Sequence, residues 1–456
     1  MAVAKRNAGI ALLALLAGAA AEAATFAVDT TDDAVDAAIG DGLCARAGGG
    51  CTLRAAVQEA NFDAAPDAIV LPAGTFALTL AGTDEDLSAS GDLDVRASLA
   101  IAGAGPLATT IDGASLDRVL DLFAPSGTTM VSLTGIALAN GRSTAVLSTS
   151  AGLGLRVATS VEVSATDVDV RDNVATLAFG GGIGIDNRGC FTGTRVRVLR
   201  NVDPASAGSA RALAGGVTTR GATSCFTLLD SELSDNVGDQ AGAIYADSGA
   251  PIVLRRSLVS GNVARFSGAF ELNGQNDVLL ENTTVSGNRG NPGAALVDGG
   301  ATLRLRNCTV TLNRAAQSTA TIGAIQDVHG GFGRTFITNT ILAGNGPGFQ
   351  SNDCSNLRSE GGGNIIGSVA GCNASLLPSD RTNVAAGLAP LAANGGATRT
   401  HLPGAIAIDA GVDAECPGDD QRGTPRPRDG DGDGFAHCDI GAVEAGELAV
   451  FADGFE

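Results

Sequence analysis

One asparagine returns through the middle of the chain behind the same pattern, and that recurrence constrains the fold more than any other feature. Counting back from Asn173, Asn201, Asn236, Asn262, Asn288, Asn313 and Asn345, the residue three before is always branched and apolar: Val170, Val198, Leu233, Val259, Val285, Val310 and Leu342. Five before stand Val168, Val196, Ser231, Ser257, Thr283, Cys308 and Thr340, all small or β-branched. Eight before stand Ala165, Gly193, Leu228, Leu254, Leu280, Leu305 and Ile337, mostly apolar again. Positions −10 and −8 followed by −5 and −3 are two period-2 strands whose parity breaks once, so a corner lies between them. After each asparagine comes a loop and a third short run, as in Gly181-Gly182-Ile183, Gly215-Gly216-Val217, Gly242-Ala243-Ile244 and Gly268-Ala269-Phe270. Three short strands and three bends in every 25 to 35 residues make one coil of a parallel β-helix, an all-β solenoid. At ~4.8 Å per coil, about ten coils give a rod roughly 50 Å long.

Composition agrees with thin coils and tight bends: 64 glycines, no tryptophan and a single tyrosine, Tyr245, among 456 residues. The formal charge of −20 argues against nucleic acid and anionic membrane surfaces as partners. Residues 1–23 read as an export signal, with Lys5-Arg6 before an apolar stretch Ile10 to Ala20 and the small-residue site Ala21-Glu22-Ala23. That stretch falls short of the ~20 residues a spanning helix needs, and no later stretch is long enough. Lys5 is the only lysine, so its removal with the signal excludes Schiff-base and lysine-base chemistry.

Nine cysteines in an exported chain imply four disulfides and one thiol. Their spacing suggests Cys44–Cys51, Cys190–Cys225, Cys354–Cys372 and Cys416–Cys438. Cys190 and Cys225 each lie eleven residues before an asparagine of the repeat, and so occupy one column of adjacent coils. Parallel neighbours ~4.8 Å apart fall within the disulfide Cα window of about 4.4–6.8 Å. Cys308 stands in the −5 column of Ser257, Thr283 and Thr340, and reads as a small buried filler.

Toward the N-terminus, a glycine-rich loop pinned by Cys44 and Cys51 leads to Thr52, an N-cap for a helix Leu53 to Ala60 with Leu53, Ala56, Val57 and Ala60 on one face. Such a helix suits an open β-helix end, which otherwise exposes coil interior and unpaired edges. The run Cys51-Thr52-Leu53-Arg54-Ala55-Ala56 resembles the CSLREA motif of exported bacterial right-handed β-helix proteins, departing from it at Thr52 and Ala55. At the other end, Gly361 to Ser368, Leu388 to Gly396, Ile408-Asp409-Ala410-Gly411 and Cys438-Asp439-Ile440-Gly441-Ala442-Val443-Glu444 resemble the choice-of-anchor Q region of such proteins. The resemblance implies a right-handed, pectate-lyase-like solenoid: an N-terminal cap over 24–80, the β-helix over 81–400, an Asp-rich C-terminal cap region over 401–446 and a tail over 447–456. Asn140 fits the repeat only with a shift in register. Longer insertions after Asn201 and Asn313 fall in the same loop of the coil, the edge on which a binding surface would be sought.

Candidate chemistry is sparse. Asp429, Asp431 and Asp433 alternate with glycines, and Asp439 follows; such oxygens can converge on a calcium ion. The EF-hand form wants glutamate where Ile440 stands, so a structural calcium loop and a solvated acidic turn are both open readings. Gly181 to Asp186 matches a calcium β-roll repeat only once and reads as a third-strand bend. His329, His401 and His437 are scattered and read as structural. The catalytic alternative is Asp167, Asp169 and Asp172, because β-helical polysaccharide lyases and glycoside hydrolases use clustered carboxylates on an outer face. In the asparagine register, however, the −4 column reads Asp169, Arg197, Glu232 and the −6 column reads Asp167, Arg195, Asp230, Arg256. Alternating charges ~4.8 Å apart favour ionised carboxylates, the opposite of what a hydrolase acid requires. The expectation is an exported, non-catalytic protein of the cell envelope or extracellular space, structural, adhesive or recognising a glycan or cell-surface component; the alternative is a polysaccharide lyase or glycoside hydrolase.

Overall fold

A computed structural model describes residues 22–62, 65–83, 85–143, 152–175, 180–203, 213–315, 322–329, 333–346 and 352–446. Nearly all of the expected signal segment, the 447–456 tail and much of the two insertions lie outside the described residues. The chain winds into a right-handed parallel β-helix of about nine turns. One coil shows the plan. Ile252–Arg255 points Ile252 and Leu254 inward, Arg256 turns the chain, and Leu258–Ser260 follows. Gly261 turns it again before Asn262, then come Val263–Ala264 and Phe270–Leu272.

Both corners need left-handed backbone. At −6, Asp167, Arg195, Asp230, Arg256, Asn282, Asn307 and Asn339 all have φ between 45° and 54°. The second column lies immediately before each asparagine, where Asp172, Arg200, Asp235, Gly261, Gly287, Leu312 and Gly344 have φ between 53° and 76°. Asn, Asp and Gly tolerate this conformation best, which accounts for their enrichment at these two positions. The second corner corrects the three-strand coil expected from sequence. It directs the chain into a fourth, two-residue segment, and Val237–Gly238, Val263–Ala264, Arg289–Gly290 and Arg314–Ala315 pair into a narrow sheet of their own. It also explains Asn140, which occupies this corner with φ 58° and leaves Gly141 in the asparagine slot. Gly141 N–H still donates to Asn173 Oδ1 at 2.8 Å, and a Cβ on Gly141 would overlap the Leu153 carbonyl.

The asparagines form an unbroken internal ladder. Asn262 is representative: its Nδ2 donates to Asn288 Oδ1 at 2.9 Å and to Leu233 O at 2.9 Å, while its Oδ1 accepts from Asn236 N and Nδ2 at 3.0 and 2.9 Å. All seven are fully buried, so each asparagine relies on the coils before and after it to satisfy its polar groups. The ladder ends where Asn345 donates to Asp353 Oδ1 at 2.9 Å. A second ladder runs up the −5 column, with Ser231 N donating to Ser257 Oγ at 3.2 Å and Cys308 N to Thr340 Oγ1 at 3.3 Å. Cys308 keeps its place there as a buried free thiol, its Sγ directed at Leu280 O. Gly193 interrupts the apolar −8 column because a Cβ there would sit 2.8 Å from Leu228 Cδ2, beside the mutually tilted rings of Phe191 and Phe226.

Four disulfides staple the structure at Cys44–Cys51, Cys190–Cys225, Cys354–Cys372 and Cys416–Cys438. Cys190 and Cys225 are direct partners in neighbouring parallel strands, with Cα atoms 4.6 Å apart. The N-terminal helix spans Leu53–Ala60 and is capped by Thr52 Oγ1, which accepts from Ala55 N at 3.1 Å. Its apolar side joins the core, but it has no solvent face: all eight residues are buried. Arg54 is held by Asp33 through both carboxylate oxygens and donates to the carbonyls of Ser88, Gly91 and Asp92. Glu59 takes the N–H groups of Gly40 and Gly42. The helix therefore organises the preceding and following loops as well as covering the first coil.

The C-terminal segment lies along the flank of the second strand row, where sequence suggested a cap. Asp419 pairs with Arg256, Gln421 bonds Thr284 and Ser257, and His401 bonds Ser286. Farther along, Val412 bonds Asn339 and Ala442 N donates to Thr309 Oγ1. A row of outward hydroxyls on the second strands gives this segment its seat.

Candidate functional site

The acidic set lies on the same flank, on coils before those the C-terminal segment contacts. Asp167, Asp169 and Asp172 each accept a two-pronged guanidinium from the next coil. Arg195 Nε and Nη2 lie 2.6 and 2.7 Å from Asp167, and Arg200 Nε and Nη2 each 2.8 Å from Asp172. Arg197 does the same to Asp169, which is buried. The Arg195 hydrogen bonds hold the Asp167 carboxyl below its usual range. Burial pushes Asp172 up, but Arg200 and Arg171 outweigh it and its pKa is also lowered. One coil pair farther, Arg256 grips Asp230 at 2.8 and 2.7 Å. Asp167 and Asp172 are thereby held ionised, and all four carboxylates are turned toward arginine, an arrangement that suits a charge ladder better than an acid catalyst.

The aspartate loop divides. Asp429 and Asp431 come together with Asp409, a residue absent from the sequence expectation, so that one carboxylate oxygen of each lies within 4.8 Å of the others. Asp433 and Asp439 stand outside that group: Asp433 caps Phe435 N–H, and buried Asp439 takes the N–H groups of Asp409 and Ala445. Asp409 could not be placed from spacing alone, because it comes from the 408–411 turn twenty residues before Asp429.

All three histidines have partners. His329 bonds Asp327 and accepts from Gly300 N–H, and His437 faces Asp413 at 2.8 Å. His401 has its Nε2 2.9 Å from Ser286 Oγ and its Nδ1 2.7 Å from Ala389 O. Both side chains are buried and the third partner is a carbonyl, so the pair fastens the C-terminal segment.

A different acidic group lies along the edge carrying the insertions. Burial pushes Asp203 up to about 7 against the N–H groups of Gly180 and Leu213, which bond its Oδ2 at 2.7 and 2.8 Å. Burial likewise raises Glu271 to about 7, with Asn273 and Ser267 opposing. Asp239 lies within electrostatic reach of both and is itself gripped by Arg265 at 2.7 and 3.0 Å. Glu271 sits in the middle of Phe270–Leu272, opposite Tyr245 of the preceding coil, which in turn stands opposite Thr218. No column pattern marked this group, because the outward position reads threonine, tyrosine, glutamate and leucine in successive coils.

A family model described as a right handed beta helix region matches residues 153–341 and, in a second alignment, 215–374. Among solved structures, the chain is similar to the pectate lyase Pel9A at 12% identity and a TM-score of 0.47, over 93% of this chain and 97% of that one. No curated protein matches. Among the described residues, no helix is long and apolar enough to cross a membrane.

Proposed function

We propose that this right-handed β-helix protein is an exported, non-catalytic component of the cell envelope or extracellular space, with a structural or recognition role. The observation that carries the reading is the arginine grip on Asp167, Asp169 and Asp172, which withdraws the flank carboxylates from acid–base work. Four disulfides support an oxidising compartment. A calcium ion held by Asp409, Asp429 and Asp431 would add charge-neutralising ligation to the C-terminal loop. The carboxylates' backbone N–H bonds leave lone pairs for it. The partner class is an extracellular glycan or cell-surface component. The test is a glycan array probed with the purified protein: saturable binding to one glycan class supports recognition, and none leaves a purely structural rod.

A second reading, polysaccharide cleavage, is favoured by one observation. Glu271 and Asp203 are both raised to about 7, within the range a general acid uses near neutral pH. Turnover of a polysaccharide that is lost in Glu271→Gln would decide for it.

A further inference from the structure

We propose that the outward column Thr218–Tyr245–Glu271, with Ser267 at its edge, is a binding site for a neutral, hydroxyl-rich ligand of the saccharide class. This inference rests on the recognition reading above and gives it a place and a ligand chemistry. Its first support is a local shortfall of hydrogen bonding. Thr218 Oγ1 is buried without a hydrogen-bond partner, and Glu271 Oε2 and Ser267 Oγ have none but each other; their residues are 0%, 6% and 0% exposed. In the same coils, Asn236, Asn262 and Asn288 are fully bonded. Buried polar groups are ordinarily paired, so an unmet hydroxyl two coils from an under-bonded carboxyl group leaves hydrogen-bonding capacity for a partner that the described residues do not supply.

The second support is geometry. Val217, Thr219, Ile244, Ala246, Phe270 and Leu272 point inward, so Thr218, Tyr245 and Glu271 alternate with them and face outward. The neighbouring unpartnered hydroxyl, Thr219, belongs to the inward column and is no part of the site. Direct register places Thr218 and Glu271 on either side of Tyr245, one coil each way, about 9–10 Å apart in all. Asn273 extends the polar rim, its Nδ2 3.5 Å from Glu271 Oε1.

The third support is chemistry. Two hydroxyls can donate or accept, a carboxyl group can accept, and the phenol between them offers the one tyrosine ring of the chain as an apolar face. A ligand that pairs with this set carries hydroxyl groups around an apolar C–H face. The carboxylates of Asp239 and Asp247 beside the column disfavour an anionic one.

The experiment titrates the full-length exported protein with neutral gluco-, manno-, galacto- and xylo-oligosaccharides, and with calcium alone, by calorimetry. The variants are Tyr245→Ala, Glu271→Gln and Thr218→Val, with Asp167→Asn as a distant control. Saturable binding of one neutral series is expected, weakened at least tenfold by Tyr245→Ala and Glu271→Gln and unchanged in the control. Thr218→Val should weaken binding while leaving the melting temperature equal or higher, because it removes an unpaired buried hydroxyl. A lower melting temperature in Thr218→Val would show that the hydroxyl already has a partner and would overturn the site. Saccharide binding unaffected by all three variants would overturn the site while leaving recognition intact. Failure of every series to bind, or binding of calcium alone at this column, would overturn the saccharide assignment.

Discussion

Arg197 grips Asp169 with both arms of its guanidinium, Nε at 2.7 Å from one carboxylate oxygen and Nη2 at 2.5 Å from the other. Asp169 is buried whereas Arg197 is more than a third exposed, so the pair closes the flank with its acid side innermost. Converting Asp167 and Asp169 together to asparagine should destabilise the protein by about 1–3 kcal/mol, mostly through Asp169, because the exposed Asp167 pair contributes only about 0–1 kcal/mol. Urea unfolding measures it. An unchanged melt accompanied by loss of a wild-type cleavage activity would contradict the ladder and restore these aspartates as catalysts.

The internal asparagine ladder predicts a larger effect. Asn262→Leu removes a donor to Leu233 O and the acceptor of Asn236 N and Nδ2, orphaning several buried groups at once. The expected loss is about 3 kcal/mol or more, read by urea unfolding. Loss below about 1 kcal/mol would mean that the coils do not depend on the ladder.

How much of this was legible in sequence follows from repetition. The −6 corner, the asparagine column and the Cys190–Cys225 staple recur at fixed offsets, and the structure places them in that register. The corner before each asparagine was equally present, as Asp172, Arg200, Asp235, Gly261, Gly287, Leu312 and Gly344. Its mixed chemistry hid a shared left-handed backbone. What does not repeat was missed. Asp409 reaches the aspartate loop from a separate turn, His401 meets Ser286 across 115 residues, and Glu271 is an outward acid between Tyr245 and Leu296 of the adjoining coils.

His401 gives the C-terminal segment a pH dependence. Burial holds its pKa below the ordinary value, with the Ala389 carbonyl opposing. A depressed folded pKa means that the unfolded chain takes up the proton more readily. The contribution is therefore complete above the unfolded value of about 6.5 and is lost as pH falls through it toward the folded value. The stability difference between wild type and His401→Gln should shrink between about pH 7 and pH 5. A constant difference would contradict the assignment.

For the aspartate loop, calcium should raise the melting temperature relative to chelator, since a ligand bound only to the folded state stabilises it. Asp431→Ala and Asp409→Ala should each abolish the rise, whereas Asp433→Ala should keep most of it, because Asp433 lies outside the cluster. Identical melts in calcium and chelator would leave a solvated acidic turn.

The non-catalytic account is tested most directly by following product release. The purified protein is incubated with neutral and acidic polysaccharides while new reducing ends and unsaturated sugar products are measured together. The account predicts no product from any substrate, in wild type and in Glu271→Gln alike. Product formed by wild type and lost in Glu271→Gln would contradict it, and would make the buried acid of the Phe270–Leu272 strand the centre of an enzyme.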